Sequence, residues 1–166
     1  MKNTGSRFEE RTITTKGGNA MHTLRAVLET KSKTIYATTP VTTVLEAVDE
    51  MCRARVGALL VRDGETPVGI LSERDLLTRI VLARRDPATT RVADIMTSDV
   101  VCIGCDESPE HAMAVMTERR CRHLPVVFDG RVIGIVSIGD LVRWASRNQE
   151  YEIRMLDEYL AGKYPG

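Results

Sequence analysis

The sequence predicts an α/β (α+β) fold: two tandem β-α-β-β-α repeats with packed sheets, followed by a C-terminal helix. Three observations predict it. Val132-Ile-Gly-Ile-Val-Ser-Ile-Gly-Asp-Leu-Val142 reads as a buried strand running into a polar helix start, and so does Val68-Gly-Ile-Leu-Ser-Glu-Arg-Asp-Leu-Leu77. Gly69, Ser72 and Asp75 recur as Gly134, Ser137 and Asp140 at a constant offset of 65 residues (69 to 134, 72 to 137, 75 to 140). A repeat at fixed spacing is one structural unit used twice. Finally, Gly57-Ala-Leu-Leu-Val61 is a continuous apolar run, the pattern of a strand buried on both faces.

In chain order, residues 1–20 are polar, rich in Gly and Thr, and read as a flexible leader or a loosely docked arm. Met21 is a possible alternative start. Leu24, Val27 and Leu28 fall at helical spacing, so a short amphipathic helix ends near Lys31. Repeat 1 is assigned to residues 21–86. Its first strand is Thr34-Ile-Tyr-Ala-Thr-Thr-Pro40, stopped by the proline. Thr42 or Thr43 caps a helix with the apolar face Val44, Ala47, Val48 and Met51. Asp63-Gly64 turns the chain between the strands Gly57–Val61 and Val68–Leu71, and a helix runs from Asp75 to about Arg84.

Repeat 2, residues 87–146, follows the same order. Ala93–Thr97 leads into the extended segment Val100–Ile103. Ser108-Pro-Glu110 starts a helix, with Ser at the cap and Pro in the first turn. Asp129-Gly130 then turns between His123–Phe128 and Val132–Val136. Neither half carries enough apolar surface alone, so the sheets are expected to pack together. Residues 147–166 form a charged helix and tail outside the repeat. Its apolar stripe (Ile153, Leu156 and Leu160, with Tyr151, Met155 and Tyr159 alongside) is expected to dock on the module or on a second subunit.

Composition narrows the function. Twenty-three basic residues balance twenty-three acidic ones, so the chain lacks the basic footprint of a nucleic-acid binder. No apolar run approaches the roughly eighteen residues of a membrane span, and the N-terminus has no apolar signal segment. Four cysteines (Cys52, Cys102, Cys105 and Cys121) do not make a disulfide scaffold in a chain of this length, which points to a reduced, cytoplasmic setting. Cys102-Ile-Gly-Cys105 has CxxC spacing, but there is no second CxxC, and His111 and His123 fall at no recognised ligand spacing. No metal site is assigned. There is also no glycine-rich phosphate loop and no nucleophile with a placed base, so no catalytic residue is assigned and no enzymatic activity is expected.

The two copies resemble the cystathionine β-synthase (CBS) domain family in its tandem arrangement, often called a Bateman module, as found in stand-alone bacterial-type signal-transduction and regulatory proteins. The resemblance rests on Gly57–Val61 with Gly69-Ile-Leu-Ser-Glu-Arg-Asp75, and on Arg122-His-Leu-Pro-Val126 with Gly134-Ile-Val-Ser-Ile-Gly-Asp140, and it spans roughly residues 22–146. It implies a regulatory module that binds adenosine-containing ligands in clefts between the paired repeats, and that commonly dimerises. AMP is the first choice, then NAD or ATP, with ADP and S-adenosylmethionine also in the class. No cofactor is implied as a catalyst. An unidentified protein partner is also compatible, and no enzyme, nucleic acid or membrane is implied as a partner.

Two readings of Ser-x-x-Asp remain open. At a strand-to-helix junction both side chains project beside free N–H groups that favour a phosphate. The carboxylate can accept two hydrogen bonds from ribose hydroxyls, and the serine can serve ribose or phosphate. The same pattern is a capping box, complete without any ligand. The resemblance nominates Ser72 and Asp75 for one site and Ser137 and Asp140 for the other. Phosphate contacts are expected from Arg122 and His123 in the Asp140 site and from Arg74 in the Asp75 site. Arg122-His123 is set against Val56-Gly57 of the first copy, and Glu73-Arg74 against Ile138-Gly139. The resemblance also nominates Thr38, Thr39 and Thr97 as cleft-lining residues, and Ala58, Leu59, Leu124 and Pro125 as apolar walls for an adenine. On these grounds the Asp140 site is the better-equipped one. The alternative function is a protein-interaction scaffold with no nucleotide ligand.

Overall fold

A computed structural model describes residues 12–13 and 22–160 and, in the helices and strands, side chains other than those of 12, 13, 151, 155, 156 and 158–160. The expected strand–helix–strand–strand–helix order is present twice. The first half contains β2 (Ala37–Thr38), α2 (Val44–Ala54), β3 (Ala58–Asp63), β4 (Thr66–Ser72) and α3 (Glu73–Leu76). The second contains β5 (Cys102–Gly104), α4 (Pro109–Arg119), β6 (His123–Phe128), β7 (Arg131–Ser137) and α5 (Ile138–Leu160). Before them lie β1 (Thr12–Ile13) and α1 (Leu24–Glu29). One sheet has the order β2-β3-β4 and the other β1-β5-β6-β7.

The repeat extends to fine detail. Each hairpin has a register shift at the same place, between Val61 and Arg62 and between Val126 and Val127. Thr43 caps α2 through a complete capping box with Glu46, and Ser108 caps α4 by accepting from the His111 N–H. Both helices end on an arginine in the left-handed region, Arg55 at φ 54° and Arg120 at φ 52°. Helix ends of this shape ordinarily take glycine, because a Cβ there is strained.

Several boundaries differ from the sequence reading. α3 begins at Glu73 rather than Asp75, because Ser72 is already the cap, and it widens after one turn into a π-helical stretch, Leu77–Val81. Part of the supposed leader, Thr12–Ile13, is paired in parallel to Cys102 and Ile103; the rest of residues 1–21 lies outside the described residues. The division expected at 146/147 falls inside α5, which is continuous for 23 residues. Nothing in Arg143–Gln149 breaks a helix, so the chain carries straight on. Of the apolar stripe expected there, only the Ile153 side chain lies within the described residues, and it is 59% exposed.

The cores show how the halves are joined. The first half's core is built from Val44, Ala47, Met51, Leu59, Val61, Leu71 and Ile80. It also contains Val92 and Ile95, from the segment that leads into the second half. The second half's core contains Leu24 and Val27, from the segment that leads into the first. Each lead segment therefore crosses over. The same carbonyls hold it in both cases. Pro40 O and Thr42 O accept from Ala93 N and Val92 N, while their equivalents Cys105 O and Glu107 O (40 to 105, 42 to 107) accept from Arg25 N and Leu24 N. A third cluster, Ala58, Ile70, Val100, Cys102 and Val127, joins the halves directly.

This crossing explains the repeated glycine. A Cβ on Gly69 would lie 2.8 Å from Met96 Sδ and 2.9 Å from the Thr97 carbonyl oxygen. A Cβ on Gly134 would lie 2.6 Å from Leu28 Cδ2. A leucine tip can rotate aside, whereas a hydrogen-bonded backbone carbonyl cannot. Gly69→Ala should therefore destabilise the fold by about 1–3 kcal/mol and Gly134→Ala by less, as read by denaturant unfolding; equal effects would contradict this packing.

Candidate functional site

Two clefts open where the halves meet, and each draws on both of them. The first is lined by Ile70, Ser72, Glu73, Arg74 and Asp75 of the first half, and by Thr97, Asp99–Val101 and Arg119–His123 of the second. The second cleft reverses the contributions. It takes Ser137 and Asp140 from the second half, and residues 32–36 and 54–58 from the first. Every cleft is thus one half's Ser-x-x-Asp turn facing the other half's pre-strand segment and helix-to-strand turn.

In the first cleft the Asp75 carboxylate is buried and fully engaged. Its Oδ2 accepts from the Ser72 N–H at 2.8 Å and the Ser72 hydroxyl at 2.9 Å. Its Oδ1 accepts from the Thr97 hydroxyl at 3.0 Å. Thr97 is pinned there by two backbone bonds to Ile70, each 2.9 Å. Arg79 holds the same crossing from behind, donating to the Ile95 and Met96 carbonyls at 2.7 and 2.8 Å. Four arginines (Arg74, Arg119, Arg120 and Arg122) face three carboxylates (Glu73, Asp75 and Asp99) in this cleft. Arg74 also donates to the Arg120 carbonyl, which fixes the left-handed turn.

In the second cleft Asp140 Oδ2 accepts from the Ser137 N–H at 2.9 Å and from Lys31 Nζ at 2.8 Å. Arg143 Nη1 lies 3.5 Å from Oδ1. Burial pushes the Asp140 carboxyl up, but the Lys31 ammonium and the Ser137 backbone N–H outweigh it and hold the group below its usual range. The cleft volume is about 700 Å³, against about 230 Å³ for the first. Side-chain size accounts for much of the difference, because Gly57 and Ala58 stand where the first cleft has Arg122 and His123.

That last pairing corrects the sequence reading. His123 lies opposite Ser137 and Ala58 opposite Ser72, while Arg122 O and Gly57 O accept from Ile138 N and Glu73 N. Arg122-His123 is therefore equivalent to Gly57-Ala58, not to Val56-Gly57. Arg122 also lines the Asp75 cleft rather than the Asp140 cleft, because helix-to-strand turns are exchanged between halves. The premise that favoured the Asp140 cleft does not hold. His123 alone of the nominated residues borders both clefts, and Gly57 is tightly opposed to its ring.

The remaining nominations divide. Ser72, Arg74 and Thr97 line the first cleft, and Ala58 and Ser137 the second. Thr38, Thr39, Leu59, Leu124 and Pro125 line neither. Thr38 is paired in β2, and the Thr39 hydroxyl bonds that of Thr42. Leu59 and Leu124 are fully enclosed in the two half-cores, and Pro125 is buried in β6 opposite Ile135. The constant offset points to better residues. Arg120 is equivalent to Arg55 and Val101 to Tyr36 (55 to 120, 36 to 101), and all four border clefts. The CxxC thiols belong to packing: burial pushes Cys102 up to about 12, and Cys105 accepts a contact from Arg25 Nη2 at 2.9 Å.

Burial pushes the His123 imidazolium down from the usual histidine range, with nearby Arg122 and Lys31 adding to that and Glu73 and Asp140 opposing it. The folded state therefore favours the neutral ring. Its contribution to stability is complete above the unfolded value of about 6.5 and falls as the pH drops below it, because the unfolded chain takes the proton first. Unfolding measured from pH 7 to about pH 5 should show a smaller loss in His123→Ala than in the parent. An identical loss in both would place the titration elsewhere.

Comparison with known proteins agrees with this architecture. The CBS domain family profile matches residues 24–82 and 92–147. The mitochondrial CBS domain-containing protein CBSX3 of Arabidopsis thaliana is 37% identical over 152 residues, covering 86% of this chain and 73% of that protein. CBS domain-containing protein YhcV of Bacillus subtilis is 30% identical, with coverage of 71% and 84%. Among solved structures, a protein with CBS domains from Burkholderia ambifaria superposes with a TM-score of 0.74 at 42% identity, covering 76% of this chain and 96% of that one. The chain belongs to the CBS-domain family, as a tandem pair of CBS domains that meet through exchanged lead segments.

Proposed function

We propose that the protein is a non-enzymatic regulatory module that binds adenine nucleotides between its CBS domains, with AMP the first choice and NAD or ATP next. One observation carries this reading: the Asp75 carboxylate, held against Thr97 of the other half, shares a cleft with four arginines. That set matches the chemistry of a nucleoside phosphate. The carboxylate and the two hydroxyls beside it exchange hydrogen bonds with a ribose, and guanidinium groups neutralise a phosphate. The Asp75 cleft is then the primary site.

Such a ligand touches both halves, so its binding energy favours one relative arrangement of them. Sensing acts through assembly or partner contact. Leu77 and Val142, equivalent by the repeat offset (77 to 142), are 62% and 52% exposed on α3's π-helical extension and on α5 and suit a homodimer contact. No helix among the described residues is long and apolar enough to cross a membrane, and the reading places the protein in the cytoplasm. The Burkholderia relative is described as a candidate signal-transduction protein, which is consistent with a signalling role.

The competing reading, a scaffold whose clefts take no nucleotide, is favoured by one specific observation. The Asp75 carboxylate is already satisfied without a ligand, by the Ser72 N–H and hydroxyl and by the Thr97 hydroxyl. Thermal unfolding with AMP, ATP, NAD and S-adenosylmethionine separates the two. A ligand at 100 times its Kd should stabilise the protein by about 2.7 kcal/mol. Asp75→Ala should abolish that shift. Arg120→Gly should weaken it while leaving the unliganded protein as stable or more so, because glycine relieves the left-handed turn. No shift with any of the four ligands would favour the scaffold, and a shift that survives Asp75→Ala would refute the ribose assignment.

A further inference from the structure

We propose that Lys31 is a built-in competitor for the Asp140 cleft. Its ammonium occupies the carboxylate that a ribose there would use, so this cleft fills weakly, after the Asp75 cleft. The inference rests on the nucleotide reading above.

The repeat reveals what Lys31 does. In the first cleft, Thr97 donates twice to the opposing half: its N–H to Ile70 O, and its hydroxyl to Asp75. The equivalents of Ile70 and Asp75 are Ile135 and Asp140 (70 to 135, 75 to 140). Lys31 Nζ donates to both, at 2.9 Å to Ile135 O and at 2.8 Å to Asp140 Oδ2. One ammonium therefore replaces the backbone amide and the hydroxyl of Thr97.

The replacement is not neutral toward a ligand. A threonine hydroxyl both donates and accepts, so it can turn from Asp75 to a ribose oxygen without losing a partner. An ammonium only donates, and its bond to a carboxylate is charge-assisted. The Asp140 side chain is only 14% exposed and that of Lys31 34%, so water does not easily replace the pair. Arg143, 3.5 Å from the other carboxylate oxygen, is exposed and a weaker partner. A ribose reaching Asp140 must displace Lys31 or share the carboxylate with it. Both carboxylates are engaged, but the roomier cleft is the one whose carboxylate is held by an ammonium rather than by hydroxyls that can turn to a ligand.

Titration calorimetry with AMP tests this on the parent, Lys31→Met, Lys31→Gln and Lys31→Met/Asp140→Ala. The parent should bind one AMP tightly per chain. Lys31→Met should gain a second site with affinity raised on the order of 10- to 100-fold, and the double variant should lose that gain. Lys31→Gln keeps a donor for the Ile135 carbonyl and guards against simple misfolding; it should gain in the same direction. Without ligand, the Asp140 carboxyl followed by NMR should titrate at higher pH in Lys31→Met. One AMP per chain in both single variants, a second site weakened by them, or an Asp140 titration unmoved by Lys31→Met would each overturn the competitor and leave the Asp75 assignment standing. Failure of AMP to bind any variant, the parent included, would remove both.

Discussion

The rest of the structure depends on the crossing of each lead segment into the opposite half. Thr97, bonded through its backbone to Ile70 and through its hydroxyl to Asp75, is the most fully determined point of that crossing. The apolar anchors around it (Leu24 and Val27 on one side, Val92 and Ile95 on the other) are almost completely enclosed. Burying side chains of this size contributes about 1.5–3 kcal/mol each, as much per residue as a hydrogen bond to a charged group in the clefts, and four of them act together. Packing thus forces the exchange, and the exchange puts a carboxylate from one half beside arginines from the other.

Near-duplication of the backbone makes the differences in side chains informative. Bulges, left-handed helix ends and crossing carbonyls all recur at the same offset. Against that constant frame, Gly57-Ala58 became Arg122-His123, and the amide and hydroxyl of Thr97 gave way to the Lys31 ammonium. Both changes act in one direction: the Asp75 cleft has the denser guanidinium cluster, and the Asp140 cleft an internal cation on its carboxylate. A symmetric scaffold has been made into two unequal sites without moving a strand.

Much of the fold was legible because it is encoded locally. Thr43 and Ser108 announce their helices, Asp63-Gly64 and Asp129-Gly130 their turns, and Gly69 and Gly134 the repeat itself. The clefts were only half legible. Ser72, Asp75, Ser137 and Asp140 stand out as motifs, but which arginine faces which aspartate depends on the exchange between halves, and no local pattern encodes that. Arg122 belongs to the same half as Asp140 yet lines the cleft of Asp75. Lys31 resembled any exposed lysine at a helix end, and only the three-dimensional equivalence with Thr97 reveals it. The offset could have identified Arg55, had Arg120 been carried back through it.

The most direct test of the account is an amide chemical-shift map during titration with AMP. Shared construction of the first cleft predicts that Ser72–Asp75 and Thr97–Val101, one segment from each half, shift together with a single dissociation constant. Shifts confined to one half, or centred on a surface away from both aspartates, would contradict it.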